Sequence, residues 1–158
     1  MRGTLTSELP VAAPASAVWN AYRGVELGAL VTKLLCDVLG VVETVEGDGG
    51  VGTVMKVTFL PGMPGPGYMK EVFTKMDDEA RLKETETIEG GFLALGFDLY
   101  RVRLEVLETG EASSVIRSSI EYEIRDELAE MAVHVTTKPL EVVAEAVGKY
   151  VVEGYKKG

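Results

Sequence analysis

The 158-residue sequence holds one cysteine, Cys36, and one histidine, His134. A lone thiol cannot close a disulfide within the chain, and the two residues cannot assemble a Cys/His zinc cage. Any Ser-His-Asp triad would have to use His134, and a single histidine without ligand companions reads as structural. Cys36, in an apolar helical run, reads as an inert buried thiol. Positive charge is scarce as well: 16 Lys and Arg stand against 25 Asp and Glu, a formal net charge of −9. The basic residues are scattered, so no concentrated surface awaits a phosphate backbone, and nucleic acid is not an expected partner. Long apolar runs are also missing. Residues 1–20 include Arg2, Glu8 and Pro10 and lack a signal-peptide apolar segment, and no uncharged stretch is long enough to span a bilayer. The expectation is a soluble protein of a reducing, cytoplasmic compartment with no membrane partner.

What the chain does have is material for a core. It is 46% hydrophobic and long enough to bury a substantial interior, which predicts one domain over residues 1–158. A strand at residues 4–9 stops at Pro10. Helical spacing follows over 14–22, with Pro14 in the first turn, and again over 26–35. The period then changes to alternation: 38–45, 53–60, 68–76, 81–88, 92–107 and 113–124 read as strands joined by short turns, hence antiparallel neighbours. Residues 139–152 form a long amphipathic helix, with Thr136 and Thr137 placed to cap it. About seven antiparallel strands with one face against a long helix satisfy the layering of an α+β domain, and a strongly curved sheet leaves a hollow for chemistry.

Five motifs recur in order: Glu46-Gly47-Asp48-Gly49-Gly50-Val51-Gly52-Thr53, Lys70-Glu71, Arg81-Leu82-Lys83-Glu84, Ile88-Glu89-Gly90-Gly91 and Thr136-Thr137-Lys138-Pro139-Leu140. Together they resemble the plant Bet v 1 and pathogenesis-related class 10 family, and within it most resemble the norcoclaurine synthase and norbelladine synthase branch. The resemblance implies a helix-grip fold, in which a seven-stranded curved sheet wraps a long C-terminal helix around an internal cavity. It also implies cofactor-independent condensation of an aromatic ethylamine, such as dopamine or tyramine, with an aromatic aldehyde. Either Pictet–Spengler cyclisation or imine formation alone fits that branch. The other reading is a non-enzymatic carrier or receptor for hydrophobic plant metabolites or hormones such as abscisic acid. The receptor version is the weaker, since the His-Arg-Leu latch of abscisic acid receptors reads Ala80-Arg81-Leu82 here. No cofactor or metal is implied, and a homodimer is left open.

The individual residues admit two readings each. The glycine-rich loop has consecutive amides that suit an anion, yet no Gly-Lys-Ser/Thr follows and it joins two strands; it reads as a turn flanking the cavity. Lys83 shares a strand face with Thr85 and Thr87. Taken alone it reads as a solvated lysine; the resemblance makes it catalytic, an ammonium whose pKa an apolar pocket lowers. Glu71 reads either as half of a surface ion pair or, through the resemblance, as a general base raised by burial. Tyr68 is the third catalytic candidate. In a regular strand it faces away from Met69, Glu71 and Phe73, and a bulge at Met69 would turn it inward. Met69, Phe73, Phe92, Tyr100 and Val102 are expected to bind substrate, with Met63, Met76, Met131 and Phe97 as adaptable apolar lining or plain core. Val102 stands where norcoclaurine synthase carries an aspartate. Asp98, of the same strand parity, reads equally as a replacement acid or as an edge residue near Gly96.

Overall fold

Strict alternation in the sequence becomes a two-faced sheet. In the last strand, Ser114, Ile116, Ser118, Ile120, Tyr122 and Ile124 are buried, while the residues between them face outward. The computed structural model describes residues 1–62 and 65–157; Met63, expected in the cavity lining, lies outside the described residues. The strands are β1 (Arg2–Val11), β2 (Gly40–Glu46), β3 (Val54–Phe59), β4 (Tyr68–Asp77), β5 (Leu82–Gly90), β6 (Phe97–Gly110) and β7 (Ser113–Ile124). They form one antiparallel sheet in the order β1-β7-β6-β5-β4-β3-β2. Five successive hairpins thus build the sheet from β2 to β7, and β1 pairs back along β7.

Two short helices, α1 (Ala15–Tyr22) and α2 (Glu26–Leu35), connect β1 to β2, and α3 (Lys138–Lys157) lies along the concave side. Ala144, Val147 and Val151, at helical spacing, put one stripe of α3 into the core. Its first turn is tied as the sequence suggested: the Lys138 amide donates to Thr136 Oγ1 at 3.2 Å, and the Thr137 hydroxyl donates to Glu141 at 2.8 Å. In α2 the buried positions are Gly28, Val31 and Leu35. Cys36, one step past that stripe, is exposed rather than buried.

The strand expected over 92–107 begins later than its apolar residues suggest. Residues Gly91–Leu95 form a 3₁₀ turn, and β6 starts at Phe97. Three glycines decide this: Gly90, Gly91 and Gly96 have φ of 70°, 51° and 99°, which no regular strand accepts. Phe92 therefore reaches the interior from a turn. A second 3₁₀ segment, Asp126–His134, fills the approach to α3, and His134 is exposed there.

Candidate active site

Between the sheet, α2, which packs on β2 and β3 at Gly28 and Thr32, and the start of α3 lies a cavity of about 210 Å³. Its wall is mostly apolar: Leu27 and Val31 from α2, Val42, Met55, Val57 and Phe59 from β2 and β3, Val102 and Leu104 from β6, Leu140 and Val143 from α3. Two charged side chains, Glu71 and Lys83, are set in this lining.

Lys83 is brought inward by the β5 alternation and is only 3% exposed. Its Nζ donates to the backbone carbonyls of Tyr22 at 3.1 Å and Gly24 at 2.7 Å, and it sits 4.4 Å from the centroid of the Phe73 ring. Burial pulls its pKa down to about 8, against the opposing pull of the Glu71 carboxylate. Glu71, on β4, accepts a hydrogen bond from the Thr85 hydroxyl at 3.3 Å. Burial pushes its carboxyl above the ordinary range, while Lys83 and Thr85 hold it partly back. The two charges are offset along the hairpin. Glu71 pairs with Thr87 and Lys83 with Met76, leaving Thr85, opposite Phe73, between them.

Of the residues expected to bind substrate, Met69, Phe92, Tyr100 and Val102 line the cavity. The Tyr100 ring stacks on Phe92 with centroids 4.6 Å apart, and its phenol is held well above its usual pKa by burial first and then by the Glu71 charge. Phe73 is 2% exposed and lies beneath the Lys83 ammonium.

Two candidates sit elsewhere. Tyr68 faces outward: its hydroxyl donates to Glu89 at 2.9 Å, and Lys56 Nζ lies 5.5 Å from its ring centroid. No bulge occurs at Met69, because β3 and β4 pair without interruption from Val54↔Val72 to Thr58↔Tyr68. The local slip falls on β5, where Glu89 pairs with Lys70 and Thr87 with Glu71, so the extra residue is Ile88. Asp98 is exposed, outside the cavity. It is itself the extra residue of a bulge, between Phe97↔Ile124 and Leu99↔Glu123, and that bulge breaks its parity with Tyr100.

Sequence reasoning missed Tyr22. Its ring lines the cavity from the end of α1, burial raises its phenol, and its hydroxyl is buried with no hydrogen-bond partner among the described residues. Helical spacing marks Val18, Trp19 and Tyr22 as one inward stripe, but periodicity does not separate a core position from a cavity wall.

A curved sheet gripping a helix around an apolar hollow, with one ammonium and one carboxylate in the wall, defines a small-molecule vessel equipped for proton transfer. The chain belongs to the Pathogenesis-related protein Bet v 1 family, whose model matches residues 1–153. It is 46% identical to norbelladine synthase of Narcissus pseudonarcissus, over 97% of this chain and 94% of that one. It is 39% identical to S-norcoclaurine synthase 1 of Papaver somniferum, over 97% of this chain and 67% of that one. Among solved structures it resembles norcoclaurine synthase from Thalictrum flavum in complex with dopamine and hydroxybenzaldehyde, with a TM-score of 0.87, 39% identity, and coverage of 97% of this chain and 88% of the other. Ara h 8.0201, at 21% identity and a TM-score of 0.74, shares the fold, covering 97% of this chain and 99% of the other.

Proposed function

We propose that this protein condenses an aromatic ethylamine, such as dopamine or tyramine, with an aromatic aldehyde, without a cofactor. The observation that carries the reading is the pairing of Lys83 and Glu71 in one apolar cavity, each with its pKa moved toward neutrality. The free amine attacks the aldehyde carbon, forming a C–N bond and a carbinolamine. The Lys83 ammonium gives a proton to the departing hydroxyl, which leaves as water as the C=N bond forms. Glu71 takes the N–H proton of the resulting iminium, and solvent exchange returns that proton to Lys83. Amine plus aldehyde thus gives imine plus water. Exclusion of bulk water by the apolar wall protects the C=N bond from hydrolysis.

Imine formation is favoured over ring closure by the content of the wall. Cyclisation needs a base at the ring carbon and a hold on the aryl hydroxyls. Here Glu71 is the carboxylate of the lining, Val102 is apolar, and Asp98 and Tyr68 face away. The 46% identity to norbelladine synthase supports the same choice. A cytoplasmic setting accords with a single, unpaired cysteine. The carrier reading is kept because the rest of the cavity is apolar enough to hold a hydrophobic metabolite without chemistry.

The test is incubation of the purified protein with dopamine or tyramine and hydroxybenzaldehyde, with borohydride trapping of the imine and chiral chromatography of any cyclised product. Trapped amine formed well above the uncatalysed rate supports the proposal, and loss of that excess in Glu71→Gln assigns it to the cavity. Formation at the background rate, with the ligands still bound, leaves a carrier. A single enantiomer of a closed ring shows that cyclisation occurs.

A further inference from the structure

Lys83 does not hold its place by its own strand alone. Its two hydrogen-bond acceptors are the main-chain carbonyls of Tyr22, the last residue of α1, and Gly24, in the link to α2. That short link is gripped from two sides by residues outside the cavity. On one side stands Asp78, in the turn of the same β4–β5 hairpin that carries Lys83. It accepts from Arg23 Nε at 2.7 Å and Nη2 at 2.9 Å, and from the Trp19 indole at 2.8 Å. This fork is strong enough to hold the Asp78 carboxyl at about 2. On the other side, the glycine-rich loop packs against the link. Gly49 is buried, its amide donates to Thr53 Oγ1 at 2.9 Å, and a Cβ added to it would stand 3.1 Å from Gly24 Cα and 3.4 Å from the Val25 nitrogen.

We propose that Asp78 and Gly49 are positioning residues for Lys83: they fix the 22–24 link so that its two carbonyls seat the ammonium. The hairpin then closes on itself through α1. Lys83 takes the carbonyls of residues 22 and 24, Asp78 takes the side chains of residues 19 and 23, and the two ends of that grip, one at the start of β5 and one in the turn before it, are only a few residues apart on one hairpin. The glycine-rich loop acquires a role that neither an anion site nor a simple strand connection describes. A Cβ at Gly49 would press on Gly24 Cα at 3.1 Å, a contact tight enough to push on the backbone that carries the Gly24 carbonyl.

The seat makes a prediction that a merely stabilising contact does not. Hydrogen bonds to an ammonium favour its charged form, so loosening the seat lowers the Lys83 pKa further. The other titratable groups that share the cavity, Glu71 on β4, Tyr22 on α1 and Tyr100 on β6, keep their side chains in every variant proposed. Asp78→Ala also removes a nearby negative charge. Gly49→Ala removes none, so a shift common to both variants isolates the seat from simple electrostatics. Gly52→Ala is the control: Gly52 lies in the same loop with φ of 94°, and an added Cβ there meets nothing within 4 Å. It strains the loop without touching residue 24.

The Lys83 ammonium is titrated by nitrogen-detected NMR in the full chain, with folding of each variant checked by near-ultraviolet circular dichroism. Asp78→Ala and Gly49→Ala are expected to lower the Lys83 pKa by about half a unit to one unit, and Gly52→Ala to leave it in place. A folded Asp78→Ala or Gly49→Ala protein in which Lys83 titrates as in the parent overturns the proposal, as does an equal shift in Gly52→Ala. The proposal rests on the proposed condensation only for its effect on rate, where the first two variants are expected to lower kcat about 5- to 30-fold with KM changed less than about twofold. The NMR titration decides the seat whether or not any condensation is found.

Discussion

Lys83 is under two opposed demands. Its ammonium is useful in an apolar cavity because it parts with a proton near neutrality, and for the same reason it is costly to bury there. The drop from 10.5 to about 8 corresponds to about 3 kcal/mol. Between those two values the unfolded chain holds a proton that the folded chain has shed, so stability rises with pH across the window and the full penalty applies below about 8. Lys83→Met removes that penalty. At pH 7 it is expected to be more stable than the parent by about 1–2 kcal/mol, after the loss of the bonds to the Tyr22 and Gly24 carbonyls, with condensation down at least about 100-fold. Urea titration at pH 7 and pH 10 checks this, because the gain should shrink at the higher pH; a variant less stable than the parent at pH 7 would falsify the account. The same pair sets the rate profile. The dependence of kcat/KM on pH should be bell-shaped, with a basic limb near 8 from Lys83 and an acid limb above 4.5 from Glu71. Glu71→Gln should erase the acid limb, and a flat profile over this range would remove both residues from the mechanism.

At the scale of single elements, bulges decide which side chains reach the cavity. The β4–β5 hairpin keeps Met69, Glu71 and Phe73 inward because, of its two extra residues, Ile88 falls on the opposite strand and Thr74 only past Phe73. Tyr68 is left outside against Glu89, and Tyr68→Phe is expected to change condensation less than about threefold while removing only the exposed bond to Glu89. A fall of a hundredfold would mean that the phenol swings inward during the reaction. At the end of β5, Gly90 carries the exit into the 3₁₀ turn at φ 70° and ψ −155°, and a Cβ there would come within 2.5 Å of the Tyr68 carbonyl. Gly90→Ala should therefore cost about 2 kcal/mol or more and loosen the Phe92–Tyr100 stack behind it. Thermal unfolding together with near-ultraviolet circular dichroism measures both effects, and an unchanged Tm would show that the exit relaxes freely.

Across the whole molecule the cavity is a void that the fold tolerates and a ligand can fill. The core runs on from the cavity wall, through Tyr22, Val102 and Leu104, to Val18, Trp19, Val147, Ile116 and Ile120, where α1 and α3 pack on the sheet. Stability and ligand capacity thereby share the residues of one wall, Val102 and Leu104 among them. Val102→Phe, which places a ring in the hollow, is expected to raise the Tm of the ligand-free protein and to abolish the Tm increase that dopamine or hydroxybenzaldehyde gives the parent. At a hundredfold excess over Kd that increase corresponds to about 2.7 kcal/mol. Persistence of the full increase in Val102→Phe would place the ligand outside the cavity described.

Period determined the seven strands and the three α-helices: alternation from residue 38 onward, helical spacing near both ends, and short turns that force antiparallel neighbours together leave one layered α+β solution, while the 3₁₀ segments Gly91–Leu95 and Asp126–His134 lay outside it. The motifs around Lys83 and Glu71 carried the resemblance, and both side chains lie where their strand parity sends them. Parity stops being a guide wherever one strand gains a residue over its neighbour. Asp98 leaves the inner face for that reason, and the inward turn that would have brought Tyr68 to the cavity does not occur. Such a bulge is a property of two strands in register, and a single strand's sequence does not specify it. The same holds for Tyr22, whose spacing marks it as buried but not as facing a void, because a cavity exists only where three elements fail to meet. The seat of Lys83 is more remote still from sequence: its acceptors are carbonyls, identical in every residue, and only the closing of α1 onto the β4–β5 hairpin brings them within 3.1 Å of the ammonium.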